Sequence, residues 1–199
     1  TGGSGMITLA IDTLVPVVTA TVAHIGPDGN PGEGGQVMEG ASGQTSELDY
    51  TFTLSGDMSN PVTVYYFLTP TGGVNFVRSG DFTGNGSQDL FETGLPSGVV
   101  VLSSENPSVT VQVFVQGDNA VGPDENFNLQ IEVQSESQNA PFVVNSTNST
   151  IVNDDAYVSV SVVAVEDPMP GQAAYEFVVT RHGYTTDALT IDYTLDGGT

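Results

Sequence analysis

Residues 50–73 read YTFTLSGDMSNPVTVYYFLTPTGG, and the spacing of the large apolar side chains inside this stretch decides the fold. Tyr50, Phe52 and Leu54 alternate with Thr51 and Thr53. After SGDMSNP, Val62, Val64, Tyr66 and Leu68 alternate again. A period of two sends successive side chains to opposite faces of a strand, so each half is a strand with one face toward a core. The Gly, Asp, Ser, Asn and Pro between them supply turn chemistry. The pattern reaches upstream to Leu48 in ELDYTFTL (47–54). It recurs in VTVQVFVQ (109–116) through Val109, Val111, Val113 and Val115, and in NFNLQIEV (126–133) through Phe127, Leu129, Ile131 and Val133. VVVL at 99–102 adds a short strand, and loops such as SGDFTGNGSQD (79–89) and SSENPS (103–108) separate the runs. No segment shows helical periodicity. Short strands at this spacing predict an antiparallel β-sandwich.

The opening stretch also occurs twice. YEFVVTRHGYTTDALTIDYTLDGG (175–198) aligns with it without a gap, Tyr50 onto Tyr175, an offset of 175 − 50 = 125 residues. Upstream, VMEG with Glu39 parallels AVED with Glu166, an offset of 166 − 39 = 127. A fixed repeat of this kind marks tandem modules. Residues 1–5 read as a linker or cloning scar, 6–155 as one module, and 156–199 as the first strands of a second. Residues 6–36 fit the repeat least. ITLAIDTLVPVVTATVAHI (7–25) is long for one strand, and GPDGNPGEGG (26–35) looks like an inserted loop. An extended first strand with a bulge at Pro16 and a separate edge hairpin are both open. Half a sandwich cannot bury its sheet face. The strands that would complete the second copy are therefore expected from sequence beyond Thr199, from a neighbouring chain, or not at all.

The 199 residues carry 24 Asp and Glu against two Arg and no Lys, a formal charge of −22. A hydrophobic content of 38%, with seven Tyr and nine Phe, belongs to a folded domain rather than an acidic tail. The charge argues against nucleic acid and anionic membrane as partners, since both would be repelled. It favours cations, or saline surroundings that screen the repulsion. The absence of cysteine removes thiolate metal sites and thiol redox chemistry. No apolar run approaches the roughly 18–20 residues of a membrane helix, and the first residues show no signal-peptide pattern. Nucleophile elbow, phosphate loop, zinc and EF-hand motifs are all missing, and no Trp offers a sugar platform beside paired carboxylates. Enzymatic activity is not expected. His24 and His182 read as surface residues, and Arg78 and Arg181 as salt-bridge partners in a negative field. NGS (85–87) and NST (145–147 and 148–150) fit the glycosylation pattern, which has meaning only in a eukaryotic secretory setting.

The acids gather at strand ends. GDNAVGPDENFNLQIEV (117–133) places Asp118, Asp124 and Glu125 just before a strand, and STIVNDD (149–155) places Asp154 and Asp155 just after one. Ca²⁺ takes six to eight hard oxygens at about 2.3–2.6 Å, and loops meeting at one end of a sandwich can supply them. The plainer alternatives stay open: Glu125 favouring its turn, Asp154 and Asp155 in a solvated linker, and Asp81 bonding its own backbone.

Taken in order, these pieces resemble the Calx-β family. YEFVVTRHG and LTIDYTLDGGT in the second copy look like the family's strand–turn–strand ending in an acid-Gly-Thr motif. GDF (80–82) resembles its Gly-rich turn with Asp and an aromatic, GDNAVGPDENFNL its acidic loop, and STIVNDD its closing strand with paired aspartates. The match spans roughly residues 37–199. The resemblance implies a seven-stranded, immunoglobulin-like Greek-key sandwich with Ca²⁺ in the loops at one end, as some members have. Other members are structural modules in integrin tails or tandem modules of bacterial surface and adhesion proteins. By position, the implied metal ligands are Glu39, Asp118, Glu125, Asp154 and Asp155, with Glu166 and Asp196 in the second copy and Asp155 able to serve either. Thr71 and Gly122 stand where the family has acids, which implies one ion, or two, rather than a four-ion cluster. The implied role is an extracellular or cell-surface module stiffened by Ca²⁺, with neighbouring modules as its partners. The alternatives are a building block completed by strands of other copies and a Ca²⁺ sensor of a transporter.

Overall fold

The computed structural model describes residues 15–71, 77–84, 88–92, 94–135, 142–143, 147–165, 174–186 and 188–196. Pro16 opens the first strand, β1 (Pro16–Ile25), at the position where a missing N–H disturbs a ladder least. The chain then turns back: Gly26 N–H donates to the Asn30 carbonyl (3.1 Å), and Gly29 takes φ 77° at the tip. A short β2 (Pro31–Glu33) pairs antiparallel with the end of β1. The stretch that looked like an irregular insertion is thus the turn and second arm of a hairpin. Its first arm, 16–25, is also the module's opening strand, so the region combines parts of both sequence alternatives. Residues 6–14 lie outside the described residues.

The remaining strands are β3 (Gln36–Met38), β4 (Thr45–Gly56), β5 (Val62–Pro70), β6 (Phe82–Thr83), β7 (Ser97–Leu102), β8 (Ser108–Gln116), β9 (Glu125–Ser135), β10 (Phe142–Val143), β11 (Thr147–Val152), β12 (Ala156–Val165) and β13 (Ala174–Gly183). A single 3₁₀ turn covers Ser79–Asp81, and the described residues contain no α-helix. One sheet has the order β2-β1-β4-β8-β6, the other β3-β11-β9-β5-β7, with β10 on the side of β9. Read without the added edge pieces, β1-β4-β8-β6 and β11-β9-β5 are the A-B-E-D and G-F-C sheets of an immunoglobulin-like sandwich. One pairing departs from the expected antiparallel scheme, because β3 runs parallel to β11. The opening edge is split. β1 pairs with β4 in one sheet, and the chain then crosses to the other, where β3 meets the last strand of the module running in the same direction.

The two sheets close over the side chains that alternation selected. Leu48, Tyr50, Phe52 and Leu54 on β4, Val62, Val64, Tyr66 and Leu68 on β5, and Phe127, Leu129, Ile131 and Val133 on β9 are all buried. On β8, Val113 and Val115 are buried, while Val109 and Val111 are half-buried against the rim of the core. Phe82 of the two-residue β6 meets Phe127 edge-on, with centroids 5.7 Å apart. The Tyr50 hydroxyl lies 2.9 Å from Ser149 Oγ, so this polar tip inside the sandwich is partnered. Each fully buried large side chain stabilises the fold by about 1.5–3 kcal/mol.

After Val152 the chain leaves the sandwich. β12 and β13 form a two-stranded sheet of their own. By the repeat, Tyr175 on β13 stands for Tyr50 on β4, whereas β12, just ahead of Glu166, stands for residues 29–38 rather than for β1. The repeat also predicts a strand over 188–195 to match β5, and there the structure differs: 188–196 joins no ladder, and Leu189, Ile191, Tyr193 and Leu195 are exposed. In the sandwich β5 is held by β9 on one side and β7 on the other. No counterpart of either flanks 188–196 among the described residues. His182 stacks on Tyr157 at 4.5 Å with Nε2 2.9 Å from Ser159 Oγ, and His24 Nδ1 lies 3.2 Å from the Gly34 carbonyl oxygen. Both histidines are half-buried surface residues, each with a ring nitrogen in an exposed hydrogen bond.

Candidate metal centre

Three chain segments meet at one end of the sandwich, each just beyond the end of a strand. Glu39 follows β3, Asp118 follows β8, and Asp155 lies between β11 and β12. One oxygen from each of these carboxylates lies within 4.8 Å of the others. Backbone contacts hold the segments in place. The Glu39 N–H donates to the Val152 carbonyl (3.2 Å), Gly117 N–H donates to the Gln44 carbonyl (3.0 Å), and Ala41 bridges to Asp118 in parallel. Glycine is required at 117, because a Cβ there would sit 2.4 Å from the Gly40 carbonyl oxygen.

Asn153 ties the centre together. Its Nδ2 donates to Glu39 Oε1 and to the Ala120 carbonyl, both at 2.9 Å, and its N–H donates to Asp124 Oδ1 at 3.1 Å. Ser42 N–H donates to Asn119 Oδ1 (3.1 Å), and Ala120 N–H donates to Asp118 Oδ1. The acidic loop is thereby fixed to the segments that follow both β3 and β11.

The electrostatics are those of carboxylates crowded without counter-charge. Burial pushes Glu39 up to about 8, and the negative Asp118, Asp155 and Asp154 add to the rise. Burial also raises Asp155, as do Asp154 and Asp118, while its hydrogen bond with Glu39 opposes the rise. Glu39 therefore gives up its proton less readily than an ordinary carboxyl when no cation is bound. Asp155 Oδ2 is buried and meets no donor. Three carboxylates from three segments, an orphaned oxygen and no nitrogen or sulfur ligand fit a hard divalent cation. Ca²⁺ fits this donor set: Glu39, Asp118 and Asp155 would hold it, and its charge would offset their mutual repulsion.

The other expected ligands are placed differently. Asp154 turns to the backbone, with Oδ1 accepting from Gly40 N–H at 3.1 Å. Glu125 opens β9 beside Asp81. It is pushed up to about 7 by burial and by Asp81, with Arg78 opposing and Asp118 contributing. Asp118 thus faces both acid groups. Asp81 caps its own 3₁₀ turn through Arg78 N–H. Asp196 is exposed and outside the cluster, and Glu166 lies outside the described residues. The sequence reading missed Asn153 and left Asp124 out of the ligand set. The signal for Asn153 was its place between the last strand and the paired aspartates.

No protein-family model matches the chain, and no curated protein matches it. Among solved structures, it is similar to the apo form of the Calx CBD1 domain at 15% identity, covering 68% of this chain and 98% of that one, with a TM-score of 0.40. It is also similar to AggA, the major subunit of aggregative adherence fimbriae type I from Escherichia coli, at 11% identity, covering 70% and 95%, with a TM-score of 0.43. A family 123 glycoside hydrolase from Clostridium perfringens is similar at 12% identity over 69% of this chain and 28% of the hydrolase, with a TM-score of 0.32. Likenesses this remote carry nothing about function, and the metal centre stands on its own residues.

Proposed function

We propose that this protein is a calcium-binding structural module of a repetitive extracellular or cell-surface protein, related to the Calx-β family, in which Ca²⁺ stiffens the junction between successive modules. The observation that carries the proposal is the meeting of Glu39, Asp118 and Asp155 at the end of the sandwich from which β12 departs. Asp155 is the last residue before β12, and its carbonyl accepts from Tyr184 N–H at 2.8 Å. A cation held there would bind the closing strand of the first module to the opening strand of the next. The formal charge of −22, with no lysine, suits saline surroundings, and among the described residues no helix is long and apolar enough to cross a membrane.

Equilibrium dialysis of the full chain against ⁴⁵Ca²⁺ tests this. The expected result is saturable binding that Glu39→Gln and Asp118→Asn each weaken. Absence of saturable binding would remove the proposal.

A second reading has its own observation. Tyr157, Val160, Val162 and Val163 on β12 and Tyr175, Phe177 and Val179 on β13 are exposed, so both faces of the hairpin are open. A two-stranded hairpin is marginal alone, and strands of another copy could cover it in a filament. Light scattering across a concentration series distinguishes the two readings, since only the second predicts growth of long assemblies.

A further inference from the structure

On the outer face of the β5-β9-β7 sheet, Tyr65, Phe67, Phe91 and Glu132 line a cleft of about 210 Å³. Tyr65 and Glu132 stand directly opposite each other in the β5–β9 ladder. Phe91 comes from the loop before β7, and its ring centroid is 6.0 Å from that of Tyr65 at 49°. The loop is built to hold it there. Asp89 accepts from Gly94 N–H (2.6 Å) and from the Ser97 hydroxyl (3.1 Å), and Ser97 Oγ accepts from Phe91 N–H (3.2 Å). The Tyr65 hydroxyl donates to Gln134 Oε1 at 3.3 Å, which fixes the second ring.

The chemistry of this cleft selects its occupant. Aromatic faces are electronegative and attract cations. Glu132 puts a full negative charge beside three rings, and among the described residues no hydrogen bond or ion pair reaches its carboxylate. An anion would be repelled, and an apolar ligand would cover the carboxylate without satisfying it. Both arginines of the chain lie elsewhere, Arg78 beside Glu125 and Arg181 on β13. Exposed Val99 and Val101 on the neighbouring β7 extend the apolar surface beyond the cleft, as at the centre of a protein interface.

We propose that this face docks a partner protein through an arginine side chain, its guanidinium stacked on the rings and bonded to Glu132. A guanidinium matches a carboxylate with two parallel N–H donors and stacks on aromatic faces, which an ammonium does less well.

The test is ring ¹H–¹³C NMR of the full chain titrated with Ac-Gly-Arg-Gly-NH₂, with the citrulline peptide as neutral isostere and tetramethylammonium chloride as a free organic cation. The expected result is saturable shifts at Tyr65 and Phe67, with the arginine peptide about tenfold tighter than citrulline. Glu132→Gln should erase that preference, and Phe91→Ala should weaken binding at unchanged melting temperature. Equal binding of the two peptides, or no saturation, would overturn the proposal. Tetramethylammonium binding as tightly as the arginine peptide would also overturn it, in favour of a free quaternary amine.

Discussion

The side-chain amide of Asn153 donates to the Glu39 carboxylate at 2.9 Å, joining residues 114 apart in sequence. The same nitrogen reaches the Ala120 carbonyl, so one side chain orients a carboxylate and anchors the acidic loop together. Groups that orient metal ligands typically affect affinity by roughly 10–100-fold. Asn153→Ala should therefore weaken Ca²⁺ binding by about that factor while leaving the far-ultraviolet spectrum unchanged. Calorimetric titration checks it, and an unchanged affinity would remove Asn153 from the centre.

Acidity should stabilise the metal-free protein. Glu39 rises to about 8 and Glu125 to about 7 in the fold, from an ordinary 4.5. A raised folded-state value means that the native state holds more protons than the unfolded chain between those limits. The associated stability is fully present below about pH 4.5 and is lost as pH rises through about 7 to 8. In EDTA the melting temperature should fall from about pH 5 to about pH 9. Saturating Ca²⁺ should flatten or reverse that slope, because the cation binds the deprotonated carboxylates.

The core makes a prediction that does not involve metal. Tyr50→Phe removes the hydroxyl that partners Ser149 and leaves a buried polar atom behind. A loss of about 1–3 kcal/mol follows. Phe127→Ala, at a fully buried position edge-on to Phe82, should cost about 3–5 kcal/mol. Urea unfolding of each variant measures both.

Among the strands, the β12–β13 hairpin should be the least protected. Amides of β4 and β9 lie in ladders with partners on both sides, whereas β12 and β13 have only each other. Hydrogen exchange should be orders of magnitude faster in 156–165 and 174–183 than in 45–56 or 125–133. Equal protection would mean that another chain covers the hairpin in solution, favouring the filament reading.

Much of the fold was legible in the sequence, because alternation reports which side chains face a core. The inward sets of β4, β5 and β9 follow it residue by residue. Elements of two or three residues, such as β2, β3 and β6, carry too few side chains to show a period. The split opening edge was therefore hidden, along with the parallel pairing of β3. The strand expected at 188–195 shows the opposite limit: a strand pattern persists in sequence even where the described residues include no neighbouring strand to pair with it. At the metal centre, sequence order could bring acids to one end of the sandwich but could not choose among them. Whether Asp154 or Asp155 faces Glu39 depends on which way the backbone turns after Val152, and there Gly40 N–H takes Asp154.

The most direct test of the calcium proposal is thermal unfolding of the full chain in EDTA, in about 2 mM Ca²⁺ and in about 2 mM Mg²⁺. A ligand at about 100 times its dissociation constant stabilises by about 2.7 kcal/mol, which for a chain of this size raises the melting temperature by about 5–10 °C. The expected result is a rise of that order with Ca²⁺, little with Mg²⁺, and none with Ca²⁺ after Asp118→Asn combined with Asp155→Asn. A melting temperature indifferent to Ca²⁺, or raised equally by Mg²⁺, would contradict a calcium centre at Glu39, Asp118 and Asp155.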